Sequence, residues 1–460
     1  RKMSIVTLKE GKSKADRSSS MEENNRNTSS PQGDCVLVIT YVNIILYALC
    51  YQLQRPVEPF LVQLLTESHS DPDQVSLRYG QLQSFFSALQ TVGSPLVGIM
   101  LDRVGVRKAS ALVFLSSAIS YAILSSATTM DFLFFSKVPT ILQHAFLVAQ
   151  AAAAISTGDK TEDRAQALGR MTTAYTIGGT LGPVLGGVLV DTMGDMYLGA
   201  KMAVVGSIVS VILSLLYLPD TNDNAPVSIN DGNAKNDTLA SNITKKRSVL
   251  EELKCSFQLA RRSNLWPLLL VKVIGGFAVS MYSTALPLVL TQKLKFDPSQ
   301  LGVNMSSSMF AVAIFGAFGM APLARTLGPI GMGHIGLLSR SGFAIIFAGI
   351  VMTAVPNQYS LVEKVVMVSV CHALASHILA TGITTQTTGA VTSSEQGTLL
   401  GLEHGLFSMA RIGAPAVGTW LLTTAGGFWS VVLVCGIIDC ALVGLLMLKS
   451  ARFQNKVCLH

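Results

Sequence analysis

LGRMTTAYTIGGTLGPVLGGVLVDTMG, residues 168–194, reads against LGLEHGLFSMARIGAPAVGTWLLTTAGG, residues 400–427. Gly169 pairs with Gly401, Pro183 with Pro415, Gly186 with Gly418 and Gly194 with Gly426. The offset is 232 each time, 401 minus 169 and 415 minus 183 alike, with no gap. One such match is chance; four in register point to a duplicated half. A weaker echo sets Arg103 against Arg325, with Ala324 where Asp102 stands in the first copy. Within the first copy, Gly178, Gly182 and Gly186 recur every four residues and share one helix face. A face without side chains lets another helix approach closely. Pro183 lacks a backbone donor and bends its helix.

The rest of the chain fits a membrane solvent. Of 460 residues, 50% are hydrophobic and 13% are charged, and mean hydropathy is +0.48. Soluble domains carry about 25% charged residues. A spanning helix needs roughly 20 mostly apolar residues. Apolar runs at 36–65, 79–101, 109–127, 131–155, 166–190 and 199–218 form a first set. Runs at 265–291, 302–323, 332–354, 364–389, 398–424 and 428–448 form a second. The expectation is an all-α membrane protein, twelve transmembrane helices in two pseudo-symmetric six-helix bundles. Its parts are a disordered tail at 1–34, bundles at 35–218 and 264–449, a polar central loop at 219–263 and a tail at 450–460.

The net charge of +7 reads as an orientation signal, not as a nucleic-acid footprint. Arg103, Arg107, Lys108, Lys160, Arg164 and the basic central loop gather on one side, which places that side and both termini in the cytoplasm. The sequons at Asn27, Asn236 and Asn242 would then stay unmodified; Asn304 heads another beside a span. The seven Cys show no metal or redox spacing. Gly331 to Gly336 spells G-x-G-x-x-G but lacks the strand of a dinucleotide site, and no Walker loop is present.

Two motifs resemble a known family. Gly178 to Gly187, G-x-x-x-G-P-x-x-G-G, is similar to the antiporter motif of major facilitator drug/proton exchangers. Gly98-Ile-Met-Leu-Asp102-Arg103-Val-Gly105-Val-Arg107-Lys108 resembles the superfamily loop G-x-x-x-D-[RK]-x-G-[RK]-[RK], with Val106 at the first basic place. The resemblance covers 36–450 and points to the tetracycline-resistance-like branch, in an organic-cation-transporter-like form. It implies the major facilitator fold, with Asp102 and Arg103 as a latch against the other half. It also implies transport of organic cations or drugs by proton antiport. Departures concern coupling: Lys137 replaces the Arg of the fourth-span R-x-x-Q-G pattern.

Ionisable residues inside the bilayer are costly and face a cavity or a partner. Glu58, between Pro56 and Pro59, either binds a cation or the coupling proton, or pairs with Arg55 at the outer interface. Lys272 is a structural ion-pair partner or a substrate contact. Arg411 lies deep in the eleventh run and reads as cavity or gate. Asp439 is paired or protonated. Glu58, Lys137, Lys272 and Arg411 are the substrate or coupling candidates. Gly98, Asp102, Arg103, Gly105 and Arg107 are the gating loop. Gly178, Gly182, Pro183, Gly186 and Gly187 form the antiporter-type helix, with Gly182, Pro183 and Gly186 closing the bundle interface in one state. The expected protein is a monomeric, multi-pass secondary transporter, not an enzyme, with no cofactor and a proton as coupling ion. Its partners are a small organic solute and the lipid bilayer, not nucleic acid, and the plasma membrane stands ahead of an organelle membrane. A metabolite uniporter or symporter, and a transport-inactive receptor or scaffold, are the alternatives.

Overall fold

The structure is a computed structural model that describes residues 31–66, 71–157, 161–220, 258, 261–262, 265–354, 359–392, 396–424 and 426–457. Most of the N-terminal tail, nearly all of the central loop and the sequons at Asn27, Asn236 and Asn242 lie outside the described residues. Asn304 lies inside the helix Pro298–Ile314 and is buried.

Among the described residues every regular element is a helix, and nine helices are long and apolar enough to cross a membrane. Two of these are double. Pro72–Leu124 holds 53 residues, which would reach about 80 Å against a hydrocarbon core of about 30 Å. It breaks at Gly105, where φ is 77°, and so forms spans 2 and 3. Pro298–Thr353 breaks at Gly328, where φ is 63°, into spans 8 and 9. Glycine takes such angles without a Cβ penalty. Gln396–Leu422, of 27 residues, is span 11. Nine helices, two of them doubled, and this one make twelve spans. The remaining spans are Leu198–Tyr217 (6), Trp266–Gln292 (7), Tyr359–Thr388 (10) and Phe428–Val457 (12), with Thr161–Met193 as span 5.

The structure departs from the hydropathy reading in four places. Span 1 is two pieces, Pro31–Leu53 and Glu58–Leu65, joined by a turn before and at Pro56. Span 4 is Met130–Lys137, a 3-10 turn Val138–Leu142, and Ala145–Thr157. Pro139 explains the second break, since it cannot donate to the helical ladder. The last helix continues to Val457, past the end at 448 that the apolar run suggests. The repeat also shifts by one: aligning the turn glycines Gly105 and Gly328 sets Arg325, not Ala324, opposite Asp102.

Each half has its own core. Ile44, Val97, Phe114, Val148 and Met171 pack in the N-terminal half; Met281, Phe347, Val365 and Val431 pack in the C-terminal half. Large apolar side chains point outward, Phe318 at 79% and Met193 and Met352 at 69% exposed. An apolar belt of this kind suits lipid tails as its surroundings.

The two halves meet on the side away from the termini. Ser76 at the head of span 2 contacts Gln292 at the tail of span 7, their side-chain oxygens 3.2 Å apart. The Val184 amide donates to the Ser306 hydroxyl at 3.0 Å, and the Ser299 amide donates to Asp191 at 3.1 Å. Leu288 of the second half is buried with Leu61, Leu82 and Leu133 of the first. At the opposite ends, Gly98, Gly169 and Gly405 face open space. The contacts between the halves named here thus lie on the side away from the termini.

Candidate functional site

The broken spans 1 and 4 converge. The break in span 1 sets Glu58 at the first turn of Glu58–Leu65, and the break in span 4 leaves Lys137 at the end of Met130–Lys137. Lys137 Nζ donates to Glu58 Oε1 at 2.6 Å, and Gln83 Nε2 donates to Glu58 Oε2 at 2.7 Å. Glu58 is 5% exposed. A carboxylate so deeply buried needs these charged and polar partners. The Arg55 guanidinium donates to Gln83 Oε1 at 3.4 Å and stands over the Tyr51 ring, 6.0 Å from its centroid. Glu58 therefore does not pair with Arg55 at the interface; Lys137 takes that place.

The carbonyls freed by the span-4 break are satisfied by neighbours, as buried irregular backbone requires. Gln90 Nε2 donates to the Thr140 carbonyl at 2.7 Å, the Tyr47 hydroxyl to that of Gln143 at 3.4 Å, and the Ser116 hydroxyl to that of Pro139. A cavity of about 30 Å³ lies among Tyr51, Arg55, Glu58, Gln83, Lys137 and Gln143, room for a water or two. Gln54 is buried beside it, and neither side-chain polar atom has a partner among the described residues.

The second half carries two ion pairs. Lys272 donates to Glu403 and, at 3.0 Å, to the Thr384 hydroxyl. Glu403 is 4% exposed, and its other oxygen has no partner among the described residues. Lys272 lies six residues into Trp266–Gln292, about 9 Å from the terminus-side end. The other pair, Arg340 with Asp439, ties span 9 to span 12 deep in the bundle. Arg340 Nε donates to Asp439 at 2.9 Å, a second guanidinium nitrogen donates to the same carboxylate, and the third donates to the Gly275 carbonyl at 3.1 Å. Ser341 adds a hydrogen bond to Asp439 at 2.9 Å. Asp439 is therefore paired. Arg340, its partner, escapes a sequence reading because it is one charge inside a long apolar run, and no local spacing links it to a residue 99 positions away.

The glycine face of span 5 has a different neighbour from the one expected. Gly178 lies against Ile45 and Ala48, Gly182 against Gln52 and Leu49, and Gly186 against Leu53. All belong to span 1 in the same half. The interface between halves is reached by the adjacent positions: Gly187 lies against Pro298, and Pro183 against Gly302. Gly182 and Gly186 thus pack the N-terminal half, while Pro183 and Gly187 meet the C-terminal half. The reason is angular: Gly187 sits about 100° around the helix from Gly186, so the motif serves two neighbours at once.

In the 98–108 turn, Gly105 makes the reversal, Asp102 and Arg103 are exposed, and Arg107 approaches Asp220 at 4.0 Å. Among the described residues Asp102 and Arg103 have no ion-pair partner. Arg411 is exposed as well. It does not join the Lys272–Glu403 pair.

The profile of the Major Facilitator Superfamily matches residues 41–375. This chain is a member of the Major Facilitator Superfamily. Mouse solute carrier family 22 member 18 is 26% identical over 401 residues, covering 85% of this chain and 90% of its own. The class E tetracycline resistance protein of Escherichia coli is 23% identical, covering 92% and 97%. Among solved structures, the human organic anion transporter MFSD10 superposes with a TM-score of 0.60 at 20% identity, over 91% of this chain and 100% of its own. The superfamily assignment, the helical membrane fold and the non-enzymatic class read from the motifs all stand with these findings.

Proposed function

We propose that this superfamily member moves small, drug-sized organic solutes across a membrane by alternating access, in exchange for protons. The observation that carries the reading is the Glu58–Lys137–Gln83 cluster, a buried carboxylate held at the junction of two broken spans. Discontinuous helices that expose backbone and charge at a cavity are how such folds build solute and ion sites. Protonation of Glu58 removes its attraction for Lys137 and frees the ammonium, so proton binding and the shape of the N-terminal half change together. The tetracycline resistance relative supports drug-sized cargo by its name. The resemblance adds organic cations as one form of that cargo.

With the termini in the cytoplasm, the contacts of Ser76, Val184 and Ser299 close the outer side, and this reading makes the conformation inward-facing, with Asp102 and Arg103 free of ion-pair partners among the described residues. In the outward-open state Asp102 and Arg103 would latch the inner side. The test is solute uptake into proteoliposomes under an imposed pH gradient. Accumulation that follows the gradient and is lost in Glu58→Gln supports the exchange. Equal movement with and without the gradient refutes proton coupling, and no movement of any tested solute favours a receptor.

A further inference from the structure

A buried side chain beside Glu58 lacks partners. Gln54 is 6% exposed, and neither its amide oxygen nor its amide nitrogen has a hydrogen bond among the described residues. A buried donor or acceptor left unpaired is costly. An apolar side chain of the same size would fill the site without that cost. The Glu58 amide donates to the Gln54 carbonyl at 2.9 Å, so the two residues stand one turn apart and share a face. Both border the same cavity of about 30 Å³. Gly199 of span 6 backs the Gln54 amide: a Cβ there would lie 3.2 Å from Gln54 Nε2.

More unused hydrogen-bonding capacity borders this cavity. The Tyr121 hydroxyl accepts from Gln143 Nε2 at 3.0 Å; its own hydrogen has no acceptor among the described residues. The two oxygens of Glu58 accept from Lys137 and Gln83, and each keeps a second lone pair. A buried water needs roughly 2–4 polar partners and about 10–15 Å³ of space, so the cavity offers room and partners for about two. Tyr51, Arg55 and Phe86, half-buried, form its accessible rim. The charged and titratable groups around Glu58 are Lys137 of span 4, Arg55 of span 1, and the Tyr79 hydroxyl of span 2. Span 7, which also packs on Glu58–Leu65, carries one charged residue, Lys272, toward its far end.

We infer that Gln54 is a positioning residue that holds ordered water in this cavity, and that this water carries the coupling proton to Glu58. This rests on the proton-exchange reading and supplies its route. The neighbours already bonded to Glu58 cannot load it. The Gln83 amide does not ionise, and transfer from Lys137 moves a proton within the pair without adding one. A water beside Glu58 gives it a proton and takes one from the next water, so the pair gains one proton and one positive charge from the bulk. The Gln54 amide suits this task because it both accepts from and donates to water. Its place one turn before Glu58 keeps the carrier within reach of the carboxylate.

Infrared spectroscopy of the purified full chain in nanodiscs tests this without a solute. After a downward pH jump, protonation of Glu58 appears as a carboxylic-acid carbonyl band, assigned by its loss in Glu58→Gln. Gln54→Met keeps the volume and removes both polar atoms. It is expected to slow the rise of that band by at least about tenfold, the order set by one lost hydrogen bond to the carrier. Its melting temperature is expected to be unchanged or raised, because two unpaired buried atoms are gone. Gln54→Asn keeps the amide and is expected to retain more of the rate than Gln54→Met, a ranking that loosened packing would not produce. An experimental density map that resolves waters is expected to show one bonded to the Gln54 amide in this cavity. An unchanged rate in Gln54→Met, or a cavity empty of water, overturns the inference and leaves proton exchange at Glu58 standing. Absence of the Glu58 band at every pH at which the protein stays folded sinks proton exchange itself, and the relay with it.

Discussion

The Glu58–Lys137 pair makes a quantitative prediction. Glu58 is 5% exposed and takes its hydrogen bonds from Lys137 at 2.6 Å and Gln83 at 2.7 Å. Glu58→Gln keeps the shape but leaves the Lys137 ammonium without its counter-charge. Breaking a buried pair on one side costs about 3–5 kcal/mol, whereas replacing both partners by neutral groups of similar size costs far less. Lys137→Met strands the carboxylate instead and is expected to cost a similar amount. The double variant Glu58→Gln/Lys137→Met is expected to recover most of the loss, giving a coupling energy of at least about 4 kcal/mol in the double-mutant cycle. The assay is reversible unfolding of the purified protein in mixed micelles, with all four proteins measured at one pH. Additive losses, with coupling under about 0.5 kcal/mol, would show that the two groups do not interact and would remove the basis for a proton site there. Stability restored without gradient-driven transport is the expected phenotype of the double variant, since it has no carboxylate to protonate.

Three further outcomes follow from the packing. A Cβ at Gly182 would lie 2.5 Å from Gln52 Cβ and 3.0 Å from the Leu49 carbonyl, so Gly182→Leu is expected to force spans 1 and 5 apart and lose about 1–3 kcal/mol or more; thermal unfolding and uptake read both effects, and unchanged values would refute the close packing. Gly98 faces open space, so Gly98→Leu is expected to keep thermal stability while blocking closure of the terminus side, seen as uptake lost at unchanged melting temperature. Asp439→Asn leaves the Arg340 guanidinium with a weaker partner in a buried site and is expected to cost about 3–5 kcal/mol, read as loss of folded protein in detergent at growth temperature.

What sequence supplies and what it withholds differ by range. The spans follow from local hydropathy, and the Gly105 reversal follows from a glycine set among charges. The Gly178, Gly182 and Gly186 face is legible because helical spacing is local, but the helix it receives is not; span 1 and span 8 were equally available partners. The break in span 4 was written in Pro139, and the length of the apolar run masked it. Glu58, Lys137 and Lys272 are legible as lone charges in apolar surroundings. Their pairing is not, because Glu58 and Lys137 are 79 positions apart and Lys272 and Glu403 are 131 apart. Arg340 shows the limit most plainly: one buried charge in span 9 gains meaning only when Asp439 of span 12 is beside it.

The central claim, solute exchange for protons through Glu58, is tested most directly by watching the protons. Proteoliposomes loaded with a pH-sensitive dye receive an outward solute gradient of 2-naphthoate or 2-naphthylmethylammonium at equal pH on both sides. The account predicts that solute efflux carries protons inward, acidifying the lumen, and that Glu58→Gln abolishes this acidification. Solute efflux at the wild-type rate with no change of lumenal pH would contradict it.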